Sequence, residues 1–442
     1  MGRIEKGNFL DKQAIGSGAC RYKEKEEAPC GYPCMPQKAG RKRRKAVVKI
    51  REVKTILTSP NQNYLFVKIV TDSGLYGVGD ASLNGREQTV AALIDGYLAH
   101  MLVGRDPLQV EDFWQLVYRG SYWRGGNIMM SALSGIDMAL WDILGKAADK
   151  PLYALLGGKQ RDKVLCYAHI LGSTNEEKIA RAADYVKERG LKVIRLRAGL
   201  PAAHGTFGNQ SGQAGPKVEP WNPEEEIAGT IDYFVKVRKE VGDNVGIIYD
   251  LHERFSPEQA IYIMRRLEEY RPYFIEDPVA PDSVDSLRSV RSKTAVSIGF
   301  GELYKSRWEC LPAVTERLAD YLRCDIIRIG GITEARKIAV LAETYDVKMA
   351  WHGPNDVSPI THAVNWHLNV SQYNFGIQED GTTDGLIKNV IFGGPVYDRG
   401  YLFMKDGPGI GCDIDEEAAA AYPFRKAYIP VCRQEDGSIH TW

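Results

Sequence analysis

From Val47 onward the chain alternates apolar and polar residues with the two-residue period of a half-buried strand. VVKIREVKTILT and NYLFVKIVTD both carry this period. Asp72-Ser73-Gly74 then turns the chain into LYGVGDA, so the three segments predict an antiparallel meander. Next the period lengthens. REQTVAALIDGYLAHMLV spaces its apolar residues three and four apart, and NIMMSALSGIDMALWDILGKAADK predicts a long helix with a wide apolar face. Pro151 and the Gly157-Gly158 pair end this stretch. Strands followed by helices predict an α+β domain over residues 47–160.

A different texture begins at Lys163. Short β-branched runs alternate with amphipathic helices such as PEQAIYIMRRLEEY and EARKIAVLAETY. Eight runs are expected to be strands: VLCYAH ending at His169, KVIRLR at Arg195–Arg197, VGIIYD at Asp250, YFIE at Glu276, VSIGFGE at Glu302, CDIIRI at Asp325–Ile329, VKMAWH at His352 and YNFGIQE at Glu379. His169 to Arg195, Asp250 to Glu276 and Glu276 to Glu302 are each 26 residues apart. Eight repeats of one strand–helix unit predict a (β/α)8-type TIM barrel over residues 161–399. The longer interval from Arg195 to Asp250 holds a Gly-rich loop, AGLPAAHGTFGNQSGQAGPKVEPWNP. A long loop on that face of a barrel is usually functional. The tail, residues 400–442, is expected to pack back on the first domain and the pocket.

Residues 1–46 show little periodicity and are expected to be a disordered extension. Cys20, Cys30 and Cys34 cluster there, but no histidine lies nearby to complete a zinc site, and the Arg41–Lys45 run has the character of a solvated linker.

Composition narrows the function classes. Lys+Arg and Asp+Glu both number 57, so no global field attracts nucleic acid or anionic membrane. Hydrophobic residues make up 44%, which excludes global disorder. No apolar run approaches the ~20 residues of a membrane span, and the N-terminus lacks the apolar core of a secretory signal. Eight scattered cysteines fit reduced thiols in a cytoplasmic protein. No expected strand is followed by a G-x-G-x-x-G turn, which argues against a nicotinamide or nucleotide enzyme.

The chemistry lies at the strand ends. Asp250, Glu276 and Glu302 end three successive strands, and strand ends of a parallel barrel converge on one mouth. Three carboxylates there repel one another unless a cation joins them, and oxygen-only ligands favour Mg²⁺. His252 follows Asp250 by two residues, so a continuing strand would point it to the same face. His352 ends the seventh strand, where Asp325 of the sixth is placed to hydrogen-bond it and raise its basicity. Arg195 and Glu379 also end strands. His204 lies in the long loop without a decided role, and His100, His362, His367 and His440 are expected to be structural. The layout suits removal of the proton α to a carboxylate, Mg²⁺ stabilising the enediolate, followed by acid-assisted loss of a β-hydroxyl.

The segments SLNGRE, SYWRGG, DMALWDI, YAH, VIRLRAG, DLHER, FIEDP, RIGGIT, WHGPNDVSP and IQED resemble the mannonate dehydratase branch of the enolase superfamily, which includes proteins called starvation-sensing or D-galactonate dehydratase-like. The resemblance covers Val47 to Trp442. It implies a TIM barrel modified as in that superfamily, with the α+β domain as its cap, and an even-numbered homo-oligomer. It makes Asp250, Glu276 and Glu302 the Mg²⁺ ligands, His252 the acid that assists loss of the 3-hydroxyl, and Arg195 half of an Arg–Tyr base pair. Asn84, His169, His352 and Glu379 match positions that contact a sugar acid, and Trp442 matches a C-terminal tryptophan that reaches the pocket.

Two positions depart from that branch. The tyrosine of the base pair falls on Phe207, and a phenyl ring takes no proton; losing a general base typically removes ~10²–10⁴ in rate. Asp325 resembles instead the aspartate of the Asp–His dyad of other sugar-acid branches, which makes His352 with Asp325 the alternative base. The expected function is therefore a Mg²⁺-dependent dehydratase of an aldonate such as mannonate or gluconate, giving a 2-keto-3-deoxy acid. The alternative, kept open by Phe207, is a weakly active or inactive member that binds metal and ligand as a sensor.

Overall fold

The computed structural model describes residues 48–197, 218–381 and 385–440. The expected extension, the heart of the Gly-rich loop with His204 and Phe207, and Trp442 lie outside the described residues.

The meander forms. Strands Ile50–Thr58, Tyr64–Thr71 and Tyr76–Asp80 make a three-stranded antiparallel sheet, with Ile56 opposite Phe66 and Val67 opposite Gly79. Tyr64, Leu65, Phe66 and Val67 are buried on both faces. One face is covered by the helix Asn127–Ala148, which approaches the third strand closely: a Cβ at Gly79 would stand 2.0 Å from the Gly135 carbonyl oxygen. This helix is long and apolar enough to cross a bilayer, but most of it is buried in the protein.

The barrel strands are Val164–His169, Val193–Arg197, Gly246–Asp250, Phe274–Glu276, Ile298–Phe300, Tyr321–Leu322, Lys348–Met349 and Gln378–Glu379. They pair parallel in chain order, and the eighth pairs with the first through Gln378–Cys166 and Glu379–Tyr167. Between the seventh and eighth the contact is a single bridge, Met349–Phe375, rather than a ladder. Amphipathic helices lie between the strands, several of them capped by a hydroxyl or amide; Ser256 and Gln259 close a reciprocal capping box. Tyr167, Val193, Ile248, Phe274 and Tyr321, from five of the eight strands, fill one buried apolar cluster with Ala350 and Ile377, which directly flank the seventh and eighth.

Several strands stop short of the expected ends. The sixth is Tyr321–Leu322, ahead of the expected run CDIIRI, and Asp325 lies three residues past its end in a turn where its carboxylate accepts the Ile327 amide. His252 is not on a strand either. Asp250 ends the third strand by accepting the His252 amide at 2.8 Å, and His252 takes a positive φ of 52°. Its direction is thus set by this turn and not by strand alternation.

The tail returns to both parts of the molecule. Residues Tyr401–Phe403 pair antiparallel with the foot of the first barrel strand. Further on, Thr58 donates to Ala419, Ser59 to Tyr422, Lys68 pairs with Glu416, and Tyr76 hydrogen-bonds Asp413. Val431–Arg433 pairs in parallel with Val218–Pro220, the segment that leaves the long loop.

Candidate active site

The strand ends gather charged side chains into one buried network. Asp250, Glu276 and Glu379 are at most fractionally exposed, and two arginines lie among them. Arg195 reaches Asp250 at 2.7 Å and Glu276 at 2.6 Å. Arg323, fully buried, reaches Glu276 and Glu379 at 3.0 Å each and donates to the Tyr167 hydroxyl. Burial opposes the charge on Glu379, but Arg323 and Arg195 outweigh it and hold the carboxyl well below the usual range. His169 Nε2 stands 2.7 Å from Glu379 Oε1, which only accepts, and 3.1 Å from Arg195 Nη1, which only donates, so this nitrogen faces both partners of the network.

On the other side positive charge is scarce. Burial first, then the neighbouring carboxylates Glu302 and Glu253, push Asp277 well above the usual range. Burial with Glu302 and Asp250 pushes Glu253 up to about 9. Glu302 is raised by burial and by Glu276 and Asp250, although His352 works the other way. Asp250, Glu276 and Asp277 each offer a carboxylate oxygen within 4.8 Å of the others, and all three are buried. An all-oxygen donor set with this mutual repulsion fits a hard divalent cation. The tight set contains Asp277, whereas Glu302 leans toward His352, 3.4 Å from its Nε2.

His352 sits between Glu302 and Asp325, whose Oδ2 lies 3.0 Å from its Nδ1. Burial disfavours the imidazolium, but Glu302 and the Asp325 hydrogen bond prevail and push it up to about 10. His252 Nε2 accepts from Arg197 at 2.8 Å, since a guanidinium only donates. Asn84 comes from the cap and donates to Asp356, in the loop after the seventh barrel strand, at 2.7 Å.

The structure thus brings Arg195, Asp250, Glu276, His169 and Glu379 into one network and joins Asp325 to His352 and Glu302. His252 and Asn84 lie in partly buried contacts on Arg197 and Asp356. Sequence reasoning missed Arg323, Asp277 and Asp356. Arg323 carried a signal: a lone guanidinium among the apolar residues of YLRCDII has to find buried partners. Asp277 directly follows Glu276, but an alternating strand would have turned it away; a positive φ of 38° breaks that rule.

A parallel barrel with an acidic mouth, roofed by an antiparallel sheet with helices, defines the class. Residues 42–157 match the mandelate racemase / muconate lactonizing enzyme N-terminal domain, and residues 177–418 match the enolase C-terminal domain-like family. The chain belongs to the enolase superfamily. Among relatives, it is 40% identical over 410 residues to a D-mannonate dehydratase of Caulobacter vibrioides, covering 90% of this chain and 100% of that protein. It is 38% identical over 403 residues to a D-galactonate dehydratase family member of Cellvibrio japonicus, covering 89% and 100%. An enolase from Pantoea ananatis with bound D-gluconate and Mg superposes with a TM-score of 0.83 at 38% identity, covering 89% of this chain and 100% of that one.

Proposed function

We propose that the protein is a Mg²⁺-dependent dehydratase of a hexonate-type sugar acid, mannonate and gluconate being the first candidates, with the 2-keto-3-deoxy acid as product. The observation that carries this is the meeting, at one barrel mouth, of a buried carboxylate set with the Asp325–His352 pair. Relatives named as mannonate dehydratase and a gluconate-bound structural neighbour support the substrate class.

Asp250 and Glu276, with Glu302 or Asp277, would hold Mg²⁺, which when bound supplies positive charge to a substrate carboxylate as its α-carbon loses a proton. His352 would take that proton at Nε2; the free Glu302 carboxylate favours the imidazolium, so His352 serves as base only once that charge is engaged elsewhere, while Asp325 holds Nδ1 and fixes the tautomer. His252, once protonated, gives a proton to the departing β-hydroxyl, which leaves as water. The enol that remains then tautomerises to the 2-keto acid. Arg195, held by Asp250 and Glu276, keeps its charge and acts by position and electrostatics. Asn84, His169, Glu379 and Trp442 line the sugar acid in this scheme. A cytoplasmic setting is consistent with Cys166, Cys310, Cys324, Cys412 and Cys432, which are free and buried, and an even-numbered homo-oligomer is the assembly that the sequence resemblance implies.

The test is a panel of aldonic and uronic acids, incubated with protein and Mg²⁺ and read out as 2-keto acid. Turnover that disappears in Glu276→Gln supports the proposal. Mg²⁺ binding and an intact fold without turnover of any acid would instead favour a sensor that binds without converting, the reading that Phe207 motivates.

A further inference from the structure

We propose that Arg328 is a positioning residue that ties the cap to the Asp325–His352 pair and holds the two in register over the pocket. This rests on the role given to His352 above.

Arg328 lies three residues past Asp325, mostly buried, with its Nε 4.0 Å from Asp325 Oδ2. That oxygen is the one His352 Nδ1 leans on, at 3.0 Å. The other carboxylate oxygen is engaged by the Ile327 amide at 2.8 Å, so Arg328 and His352 share the oxygen left over. The far end of the guanidinium crosses to the cap. Its Nη1 donates to the Ser82 carbonyl and lies 3.5 Å from Ser131 Oγ.

Ser82 is itself fixed. Its amide and hydroxyl both donate to Asp80 Oδ1, at 2.9 and 2.6 Å. Asp80 Oδ2 accepts from the Ser358 amide at 3.2 Å and from Thr361 Oγ1 at 2.9 Å. Ser358 ends the loop that begins after His352. The contacts therefore form a closed circuit: His352, Asp325, Arg328, Ser82, Asp80, Ser358, and back along the chain to His352. Asn84 stands two residues beyond Ser82, and its bond to Asp356 is a second tie between the same two loops. Asp80 and Ser82 are buried in this circuit, and Arg328 is the link in it that reaches both the cap backbone and the dyad.

The side-chain type matters. A guanidinium presents donors along two edges of a rigid fork, so one edge serves a carbonyl while the other faces a carboxylate. A lysine offers a compact ammonium on a flexible stem, without the two fixed edges of that fork. If Arg328 only glued cap to barrel, its loss would lower stability and leave the imidazole of His352 undisturbed. If it positions the pair, its loss changes the environment of His352 Nδ1–H and the reactivity of the α-proton.

The experiment uses the Mg²⁺-loaded full chain with Arg328→Met and Arg328→Lys. Three quantities are read: kcat and KM for the acid found in the panel, exchange of the substrate α-proton with solvent deuterium, and the low-field Nδ1–H resonance of His352, assigned by its loss in His352→Gln. Arg328→Met is expected to shift that resonance, raise KM and slow exchange roughly ten- to a hundredfold. Arg328→Lys should fall between it and the parent. A parent-like resonance and parent-like exchange in Arg328→Met would overturn the proposal, as would a fall in melting temperature with kcat and KM intact below it. Should Arg328→Met fail to fold, Arg328→Lys decides by the same readings. The resonance needs no substrate. A parent protein that converts no acid therefore overturns the proposed function, while the spectrum still decides the role of Arg328.

Discussion

One nitrogen of Arg195 reaches both Asp250 Oδ2, at 2.7 Å, and Glu276 Oε1, at 2.6 Å. Its Nε completes a second contact to Glu276 at 3.1 Å. Burial works against the guanidinium, yet Asp250 and Glu276 hold it charged. A side chain expected to help move a proton is thus the counter-charge of two expected metal ligands. A cation that binds these oxygens shares them with Arg195.

Replacing Arg195 with Met removes that counter-charge from two buried carboxylates. Breaking a buried pair in this way costs about 3–5 kcal/mol. Urea unfolding at several Mg²⁺ concentrations should show the loss, and Mg²⁺ should recover more stability in Arg195→Met than in the parent. An equal response of the two proteins to Mg²⁺ would show that the ion and Arg195 do not share ligands.

His352→Asn keeps a hydrogen-bonding side chain beside Asp325 but removes the base. Deuterium exchange at the substrate α-carbon should fall by ~10²–10⁴, the usual contribution of a general base. Exchange at the parent rate would assign His352 to substrate binding alone and return the question of the base to the long loop.

Stability should fall in mild acid through His367. This imidazole is buried and neutral: Nε2 donates to the Ile410 carbonyl at 3.0 Å, and Nδ1 accepts the Tyr153 amide at 3.3 Å. Burial lowers its pKa from 6.5 to about 4. Between those values the unfolded chain binds a proton that the folded one does not. The stabilisation is therefore complete above pH 6.5 and is lost as pH falls toward 4, by roughly 3 kcal/mol. Chemical denaturation from pH 7.5 down to 4.5 reads the slope. His367→Gln should be less stable at neutral pH and flatter across the window; an unchanged slope would place the acid sensitivity elsewhere.

The cap is built on close backbone contact, and Gly79→Ala tests it. The added Cβ would sit 2.0 Å from the Gly135 carbonyl oxygen, so the helix has to move off the sheet. Overpacking of this kind costs typically ~1–3 kcal/mol, which a thermal melt resolves. Gly96→Ala, whose Cβ meets nothing within 4 Å, is the control and should be neutral or slightly stabilising.

Much of the fold was legible because it follows from local periodicity. The meander of residues 50–80 was carried by two-residue alternation, and the barrel by strand-sized apolar runs at regular intervals with helices between them. The acids of the mouth were legible for the same reason, since strand ends in a parallel barrel share one rim. Where the chain leaves the strand, that logic fails. His252, Glu253 and Asp277 take positive φ values, so their directions depend on turns that a period of two does not describe. Arg323 was visible only as an anomaly, its partners Tyr167, Glu276 and Glu379 being far away in the chain.

By itself, the sequence determined the strand-then-helix order of the first part, the strand–helix alternation of the second, and the placing of Asp250 and Glu276 at strand ends, because each of these is set by residues close together in the chain or repeated along it. The tertiary structure alone decided which charges meet: Arg195 with Asp250 and Glu276, Arg328 with Asp325 and the cap carbonyl of Ser82, Asn84 with Asp356. Electrostatic and hydrogen-bond partners are chosen by distances of a few ångströms in the folded molecule. Only gathering the parallel strand ends around one mouth and lowering the cap onto them set those distances.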